Sequence, residues 1–282
     1  MSSFLKIFKR LIVFLLAAAV ASVVIIPILY TVFGAFKSNT EFLTSGKLLP
    51  EKWDFGNFIY AWNTVNFPRY AMNSIIVAVF AVTSHTLLSA MTAYVFSRRC
   101  QKSKFFRVIR LVYLSSMFLA LGPTTLYPLF KLLNDLHMTG SYIGLIFISS
   151  GISVAHIILM EGFLKGLGTS YDEAAYIDGC SFFGIFWVII LPLIRPVIAV
   201  VALLAFVGCW NSYMMPMILT MGRPELRTLT VAIVELKTDG TNATQWPIIM
   251  SGASISIVPM LVVYLCANKQ FVQGLTLGGV KG

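Results

Sequence analysis

Apolar residues fill this chain in long runs instead of alternating with polar positions, and six of these runs carry no charged residue. Each run is long enough to cross a hydrocarbon core of about 30 Å at a rise of about 1.5 Å per residue. Over that length only helices satisfy their own backbone groups, so the pattern predicts an all-α membrane protein, a six-transmembrane-helix bundle in one domain, residues 1–282. The predicted spans are 11–36, 70–97, 111–130, 142–160, 196–221 and 246–268.

The first run, 11–36, follows a basic segment and contains Ala19-Val20-Ala21, so its beginning imitates a cleavable signal peptide. Its apolar stretch continues well past that point, which is too long for a signal core and suits a tilted transmembrane helix. Pro27 should kink this helix, which is tolerated where neighbouring helices cover the freed carbonyl. We therefore expect the first run to remain part of the protein.

Composition excludes a soluble protein and charge predicts the orientation. Hydrophobic residues make up 58% of the chain and charged residues 11%, with a mean hydropathy of +0.84; a soluble domain does not carry this balance. With a cytoplasmic N-terminus, the cytoplasmic segments hold thirteen of the 21 basic residues and four of the 11 acidic residues, a net charge of +9 against +1 outside. The positive-inside rule thus predicts a multi-pass protein of the cell membrane with both termini cytoplasmic.

The basic cluster at 98–110 has two interpretations. It is most simply a topology anchor facing the anionic lipid of the bilayer, and a docking face for a partner protein is the alternative. A nucleic-acid partner is not implied, because the positive charge follows from membrane topology.

The cytoplasmic segment 161–195 contains a short polar stretch between apolar ones. Ser170 and Glu173 have the S-x-x-E spacing of a capping box, and Glu173 would also meet the positive end of the helix dipole. A helix is therefore predicted to begin at Ser170, with Ala174 and Ala175 propagating it.

Two further residues shape this segment. Gly179 permits a tight exit from the short helix. An apolar helix should then begin near residue 182 and be bent or restarted by Pro192. The segment is predicted to form a helix-turn-helix elbow at the membrane face.

The order and spacing in EAAYIDGCSFFGIFWVIILPLIRP, which starts at Glu173, resemble the signature of inner-membrane permease subunits of ATP-binding-cassette (ABC) importers. The sequence of this stretch is closest to that of the carbohydrate-uptake branch, the MalG-like half of maltose-type importers. Glu161, where relatives commonly carry a basic or neutral residue, and Gly168, in place of a frequent proline, depart from the pattern. The resemblance extends through Asn73-Ser74, Trp210-Asn211, Pro216, Gly274-Leu275-Thr276 and Val280-Lys281-Gly282.

This resemblance implies a MetI-like permease fold and a function, ATP-driven import of a sugar or oligosaccharide. It implies four kinds of partner: a second homologous permease, two ATPase subunits that bind ATP and magnesium, an extracytoplasmic sugar-binding protein and the lipid bilayer. The elbow would be the coupling helix that enters a cleft of the ATPase. The coupling residues carried over are Ser170, Glu173, Ala174, Ala175, Asp178, Gly179 and Pro192.

Trp210, Asn211 and Tyr213 form a polar and aromatic cluster in the fifth predicted span. Sugars are recognised through hydrogen bonds and aromatic faces, so these residues are candidates for the translocation path. An interhelical hydrogen bond without substrate contact is an equal alternative for Asn211.

Two outer loops are candidates for contacts outside the membrane. The first, 37–69, is rich in aromatic residues that could form a ledge for a partner or an aromatic belt. The third, 222–245, has a turn-forming polar tip, and the loop at this place in MalG-like proteins reaches into the sugar cleft of the binding protein. The predicted contact residues, which would otherwise form an ordinary solvated turn, are Asp239, Gly240, Thr241 and Asn242.

Residue types and motifs that the sequence lacks argue against proton coupling and nucleotide binding by this chain. No Asp, Glu, Lys or Arg lies in the predicted spans, which disfavours proton coupling, and no G-x-x-x-x-G-K-[ST] loop is present to bind nucleotide phosphates. His85 and His156 could line a pore, but a hydrogen bond between helices is the simpler interpretation. No catalytic residues, metal site or cofactor is predicted for this chain. A stand-alone carrier or channel for a small solute is the alternative function, and a membrane enzyme ranks third.

Overall fold

The computed structural model describes residues 2–64, 66–118, 122–236 and 244–279, with side chains described only outside 2–7, 122–123 and 269–279. Within these ranges the chain is helical and contains no strand. The α-helices are α1 Ser2–Gly34, α2 Asn39–Thr44, α3 Gly56–Thr64, α4 Phe67–Arg99, α5 Lys104–Ser115, α6 Leu126–Asp135, α7 Tyr142–Ser149, α8 Val154–Gly166, α9 Ser170–Ile177, α10 Phe182–Ile185, α11 Leu191–Leu193, α12 Arg195–Trp210, α13 Met214–Leu219, α14 Leu229–Glu235 and α15 Trp246–Gly279.

Three of the described helices contain single stretches that are long and apolar enough to cross a membrane: Phe8–Gly34, Phe67–Arg99 and Trp246–Asn268. Two bent helix pairs also qualify when each is taken as one span, which gives up to five candidate spans in the described ranges. The pairs are Tyr142–Ser149 with Val154–Gly166, bent by 54°, and Phe182–Leu193 with Arg195–Trp210, bent by 81°.

The predicted span 111–130 coincides with parts of α5 and α6 and two 3₁₀ turns, and residues 119–121 within it lie outside the described ranges. The division of the chain into six spans therefore stays a prediction. Pro27 lies within α1 and does not end the helix, and the kink expected there stays a prediction.

The chain contains two compact units, the first formed by Met1–Pro68 and Ala232–Val258. In this unit Asn57 donates hydrogen bonds of 2.9 Å to the carbonyls of Ala35 and Lys37, and Ser251 donates one of 3.3 Å to Ala35. Aromatic residues of the predicted first outer loop, 37–69, pack around Phe36, with Trp53 at a centroid distance of 4.9 Å. Aromatic packing thus holds the loop on the end of α1.

The second unit comprises Arg69–Val231 and Pro259–Gly282. Its main core joins α4, α8, α9 and the apolar helices that follow α9, and the small residues Ala90 and Ala93 let other helices approach α4 closely. The other buried residues of this core are Tyr94, Phe96, Ile157, Met160, Leu164, Ala175, Ile185, Phe186, Ile190, Ile194, Val197 and Val201.

Candidate functional site

Helix α9 begins at Ser170 as predicted, but its N-terminus carries no side-chain cap. Thr169 occupies the N-cap position, and its hydroxyl donates a 2.7 Å hydrogen bond to Oε1 of Glu173. The Glu173 amide donates to the Thr169 carbonyl at 3.0 Å. The prediction that the Ser170 hydroxyl caps the helix was wrong, because Thr169 precedes it by one residue and leaves Ser170 inside the first turn.

The end of α9 follows the prediction for Gly179, which has a φ of +81°. The Gly179 amide donates to the Tyr176 carbonyl at 3.1 Å, and the Cys180 amide donates to the Ala175 carbonyl at 2.9 Å. These two bonds form a Schellman motif, in which a glycine in the left-handed region satisfies the last carbonyls of a helix. Ser181 then caps α10 by accepting from the Gly184 amide at 3.1 Å.

The apolar helix after α9 is irregular. A π-helical turn, Phe186–Ile190, separates α10 from α11, and α11 carries Pro192 in its first turn. A bend of 81° then separates the helix that ends at Leu193 from α12. The expectation that the helix bends or restarts near Pro192 is confirmed.

The two faces of α9 differ in exposure. Asp172 and Ala175 are buried against the second unit's core, whereas Glu173 and Tyr176 are exposed. Ile177 is 88% exposed. A short helix that presents a carboxylate beside large apolar side chains has the composition of a surface that binds another protein.

The buried face of α9 is held by Arg98 from the end of α4. Its Nε donates to Oδ2 of Asp172 at 3.0 Å, and the two side chains are only 8% and 7% exposed. The other carboxylate oxygen, Oδ1, accepts from the Tyr94 hydroxyl at 2.7 Å. The guanidinium also donates to the carbonyls of Gly168 at 2.6 Å and Leu164 at 3.4 Å. One side chain therefore binds the end of α8, the turn and the start of α9.

Glu161 is also buried and paired. Arg110 donates to it at 3.1 Å and Lys165 lies 2.8 Å away, while its side chain is 4% exposed. Two cations thus compensate the carboxylate that departs from the family pattern. Gly168, the second departure, has a φ of +71°, which a proline cannot adopt.

A cavity of about 220 Å³ lies beside the ion pair between α4 and α9. Its lining includes the basic residues Arg99 and Lys102 and, from α9, Glu173 and Tyr176. The Arg99 guanidinium lies 4.4 Å from the ring centroid of Phe182, a cation–π contact that also ties α4 to α10.

The three candidate path residues lie at the break between α12 and α13, and they differ in burial. Trp210, the last residue of α12, is 3% exposed and stacks on Phe206 at 5.4 Å. Its Nε1 is buried without a hydrogen-bond partner among the described residues. Asn211 is exposed and Tyr213 is partly buried.

The predicted contact tip, Asp239, Gly240, Thr241 and Asn242, lies outside the described residues. Val280-Lys281-Gly282 also lies outside them. The contact with a binding protein therefore stays a prediction.

His85 and His156 meet between α4 and α8, with His85 Nε2 2.7 Å from His156 Nδ1. His85 Nδ1 lies 2.7 Å from the Gly151 carbonyl, so this nitrogen is the donor. The arrangement fits the simpler sequence interpretation, a hydrogen bond between helices. The described residues contain no group of three His, Cys, Asp or Glu side chains that could hold a metal.

Sequence reasoning missed the two polar networks that involve the ends of α4. At one end is the Arg98–Asp172 pair, whose members are 74 positions apart. At the other, Asn73 is 2% exposed and donates 2.9 Å bonds to the carbonyls of Glu225 and Arg227, more than 150 positions away. The Asn73-Ser74 pair was a visible signal, but it gave no indication of its partners.

Comparison with known proteins supports the same architecture. A family model described as binding-protein-dependent transport system inner membrane component matches residues 2–276. The chain is 32% identical over 256 residues to the probable starch degradation products transport system permease protein AmyC of Thermoanaerobacterium thermosulfurigenes, covering 90% of this chain and 91% of that protein. It is 31% identical over 277 residues to the galactooligosaccharides transport system permease protein GanQ of Bacillus subtilis, covering 95% and 94%.

One solved structure has the same fold. It is a bacterial ABC transporter involved in the import of the acidic polysaccharide alginate; the superposition has a TM-score of 0.79, covers 94% of this chain and 97% of that chain, and has 24% sequence identity. The predicted fold class, an all-α membrane protein of the ABC importer permease type, is confirmed. The chain belongs to the family of binding-protein-dependent transport system inner membrane components.

Proposed function

We propose that this chain is the transmembrane permease subunit of an ATP-driven importer for a sugar or oligosaccharide. The observation that carries the proposal is α9, a short helix that ends in a Schellman motif and exposes Glu173 and Ile177 on one face. The relatives support the substrate class, because they are named for the transport of starch degradation products, galactooligosaccharides and arabinooligosaccharides.

In this proposal α9 docks in a cleft of a separate ATPase and passes the closure of that ATPase to the membrane helices. Two ATPase subunits bind ATP and magnesium, and a second, similar permease supplies the other half of the translocation path. Both termini, α9 and the basic cluster at 98–110 lie on the cytoplasmic side. The charge distribution of the sequence supports this orientation.

Trp210, Asn211 and Tyr213 are proposed to line the path. The break between α12 and α13 supports this assignment, since irregular backbone at membrane depth is tolerated where it lines a cavity or is buried in protein. On the outer side, residues 239–242 are proposed to contact the extracytoplasmic sugar-binding protein.

The alternative, a stand-alone carrier, gives α9 no role. A carrier that works alone has no use for an 88% exposed isoleucine next to a carboxylate on a rigidly held helix outside the spans.

Purification of the tagged chain from its native membranes in mild detergent separates the two functions. We expect an ATPase and a second permease to co-purify, and sugar uptake by the reconstituted complex to require ATP. Solute transport by the purified chain alone, without ATP, would establish the carrier instead. The sugar itself can be identified by extracting the ligand retained by the binding protein.

A further inference from the structure

Helix α4 connects two distant parts of the second unit. It runs from Phe67 to Arg99 and contains no proline beyond Pro68 in its first turn. Asn73 and Arg98 are separated along it by about 37 Å, at a rise of about 1.5 Å per residue. Its middle section packs into the main core through Ala90, Ala93 and Tyr94.

At the inner end, Arg98 makes α4 and the beginning of α9 one hydrogen-bonded body. Its guanidinium binds the Asp172 carboxylate and the carbonyls of Leu164 and Gly168 at the same time. Arginine suits this role because its donors form a rigid planar fork. Since the ion pair is almost fully buried, separating it would leave an uncompensated charge, which is strongly unfavourable.

At the outer end, Asn73 and Ser74 hold the segment that precedes α14. Both amide hydrogens of Asn73 are used, on the carbonyls of Glu225 and Arg227, and its Oδ1 accepts from the Tyr142 hydroxyl at 2.6 Å. Ser74 accepts from the Leu229 amide at 2.8 Å. The amide of Asn73 is therefore satisfied by three bonds, and a buried network of this kind resists separation.

The outer segment also touches the break between α12 and α13. Thr230 follows directly after Leu229, and its hydroxyl donates a 2.6 Å hydrogen bond to the carbonyl of Trp210. A continuous chain of hydrogen bonds and one helix thus leads from α9 to the end of α12.

We propose that α4 is a strut that ties the position of α9 to that of the outer segment 224–230, with Arg98 and Asn73 as positioning residues at its two ends. This inference rests on the proposed coupling function of α9. A displacement of α9 by the ATPase would move α4, and α4 would carry the outer segment and the end of α12 with it. In the resting protein the same strut restrains α9 through the outer contacts.

The test uses the purified complex with its ATPase and measures ATP hydrolysis per assembled complex, with magnesium ATP as the only added ligand. Asn73→Ala is expected to raise the rate about threefold or more, because α9 then moves without displacing the outer segment. A merely structural residue would reduce the yield or the melting temperature and leave the rate per complex unchanged.

Two matched controls accompany this variant. Tyr142→Phe removes one of the three bonds of Asn73 but leaves both bonds to the outer segment, so its rate should stay near that of the unmodified complex. Ser74→Ala removes only the acceptor for the Leu229 amide and should raise the rate to a smaller extent. It also serves as the outer-end variant if Asn73→Ala does not assemble.

The inner end gives an independent measurement. Arg98→Gln should raise the rate as Asn73→Ala does, whereas Lys102→Gln, which removes a cation lining the same cavity, should not. Combined with Asn73→Ala, Arg98→Gln should not raise the ATP hydrolysis rate further, because the first substitution has already broken the connection between α9 and the outer segment.

The proposed strut would be overturned if ATP hydrolysis per complex were unchanged or lower in Asn73→Ala and Ser74→Ala. It would also be overturned if the double variant raised the rate by the product of the two single effects. Failure of the proposed function has a different signature, since no ATPase would then co-purify with the unmodified chain.

Discussion

Neighbouring acidic residues in α9 have opposite environments. Asp172 is buried against Arg98 and Tyr94, while Glu173 lies on the exposed face and accepts a hydrogen bond from the Thr169 hydroxyl. Asp172 therefore holds the helix in place, and Glu173 is available to a partner. Substitutions at the two positions should separate stability from function.

Glu173→Lys should abolish ATP-driven sugar uptake and leave the protein inserted in the membrane. Reversing the charge near the helix N-terminus costs about 1 kcal/mol in capping and dipole interactions, too little to unfold the protein. Uptake and the amount of protein in the membrane are measured together. The control is Glu51→Lys, a reversal at an exposed loop carboxylate; normal uptake in Glu173→Lys would refute the coupling role.

Asp172→Ala should lower the free energy of unfolding of the second unit by about 3–5 kcal/mol, because it leaves the Arg98 guanidinium buried without a counter-charge. Glu173→Ala, one position later and exposed, should cost about 1 kcal/mol or less. Thermal melting of the detergent-solubilised protein measures both. Equal losses at the two positions would show that the buried pair does not stabilise α9.

Local chemistry could be predicted from the sequence at this scale, and distant pairing could not. Gly179 was recognisable because a glycine after a short polar helix predicts a left-handed exit, and its φ of +81° confirms it. The partner of Arg98 was not recognisable, since nothing within several residues of either side chain indicates the other. Ser170 was misassigned because two adjacent residues, Thr169 and Ser170, both suit a helix cap.

At the scale of elements, hydropathy predicted where apolar helices lie and missed where they break. The predicted span 142–160 contains the break between α7 and α8, and 196–221 contains the break between α12 and α13. Both breaks consist of residues that do not lower the hydropathy enough to be noticed. Breaks of this kind depend on tertiary hydrogen bonds, such as the one between His85 and the Gly151 carbonyl.

Gly179→Ala tests the turn that ends α9. An added Cβ would meet no atom within 4 Å, so the cost is backbone strain alone, about 1–2 kcal/mol for a left-handed L-residue. Gly166→Ala is the matched control, because Gly166 has equally open surroundings and no positive φ. Thermal melting should show destabilisation at position 179 and none at 166; the reverse order would contradict the assigned turn.

Asn211→Leu tests the break between α12 and α13. If Asn211 faces the sugar path, the lost hydrogen bond should cost about 1–3 kcal/mol, or roughly a 5- to 150-fold loss in uptake per assembled complex. If it bridges helices instead, the complex should be weaker and uptake per complex normal, since such bonds average about 0.6 kcal/mol in membranes. That second result would remove Asn211 from the path.

At the scale of the whole molecule, the sequence was sufficient for the class of protein. Charge-free apolar runs predicted a membrane protein, and the resemblance of the stretch from Glu173 to Pro192 to a known signature implied an importer permease. The family match over residues 2–276 confirms that class. The interior was less predictable, because the contacts that tie α4 to α8, to α9 and to the outer segment join residues 66 to 155 positions apart. The spacing of residues along the sequence does not indicate such contacts.

Site-specific photo-crosslinking can show whether α9 docks on a separate ATPase. A photoreactive residue replaces Ile177, 88% exposed on α9, or, as a matched control, Val188, 73% exposed on the apolar helix that follows. In native membranes the probe at 177 should form an adduct with the ATPase, and the probe at 188 should not. An adduct at 188 without one at 177, or no ATPase adduct at either position, would show that α9 does not dock on the ATPase.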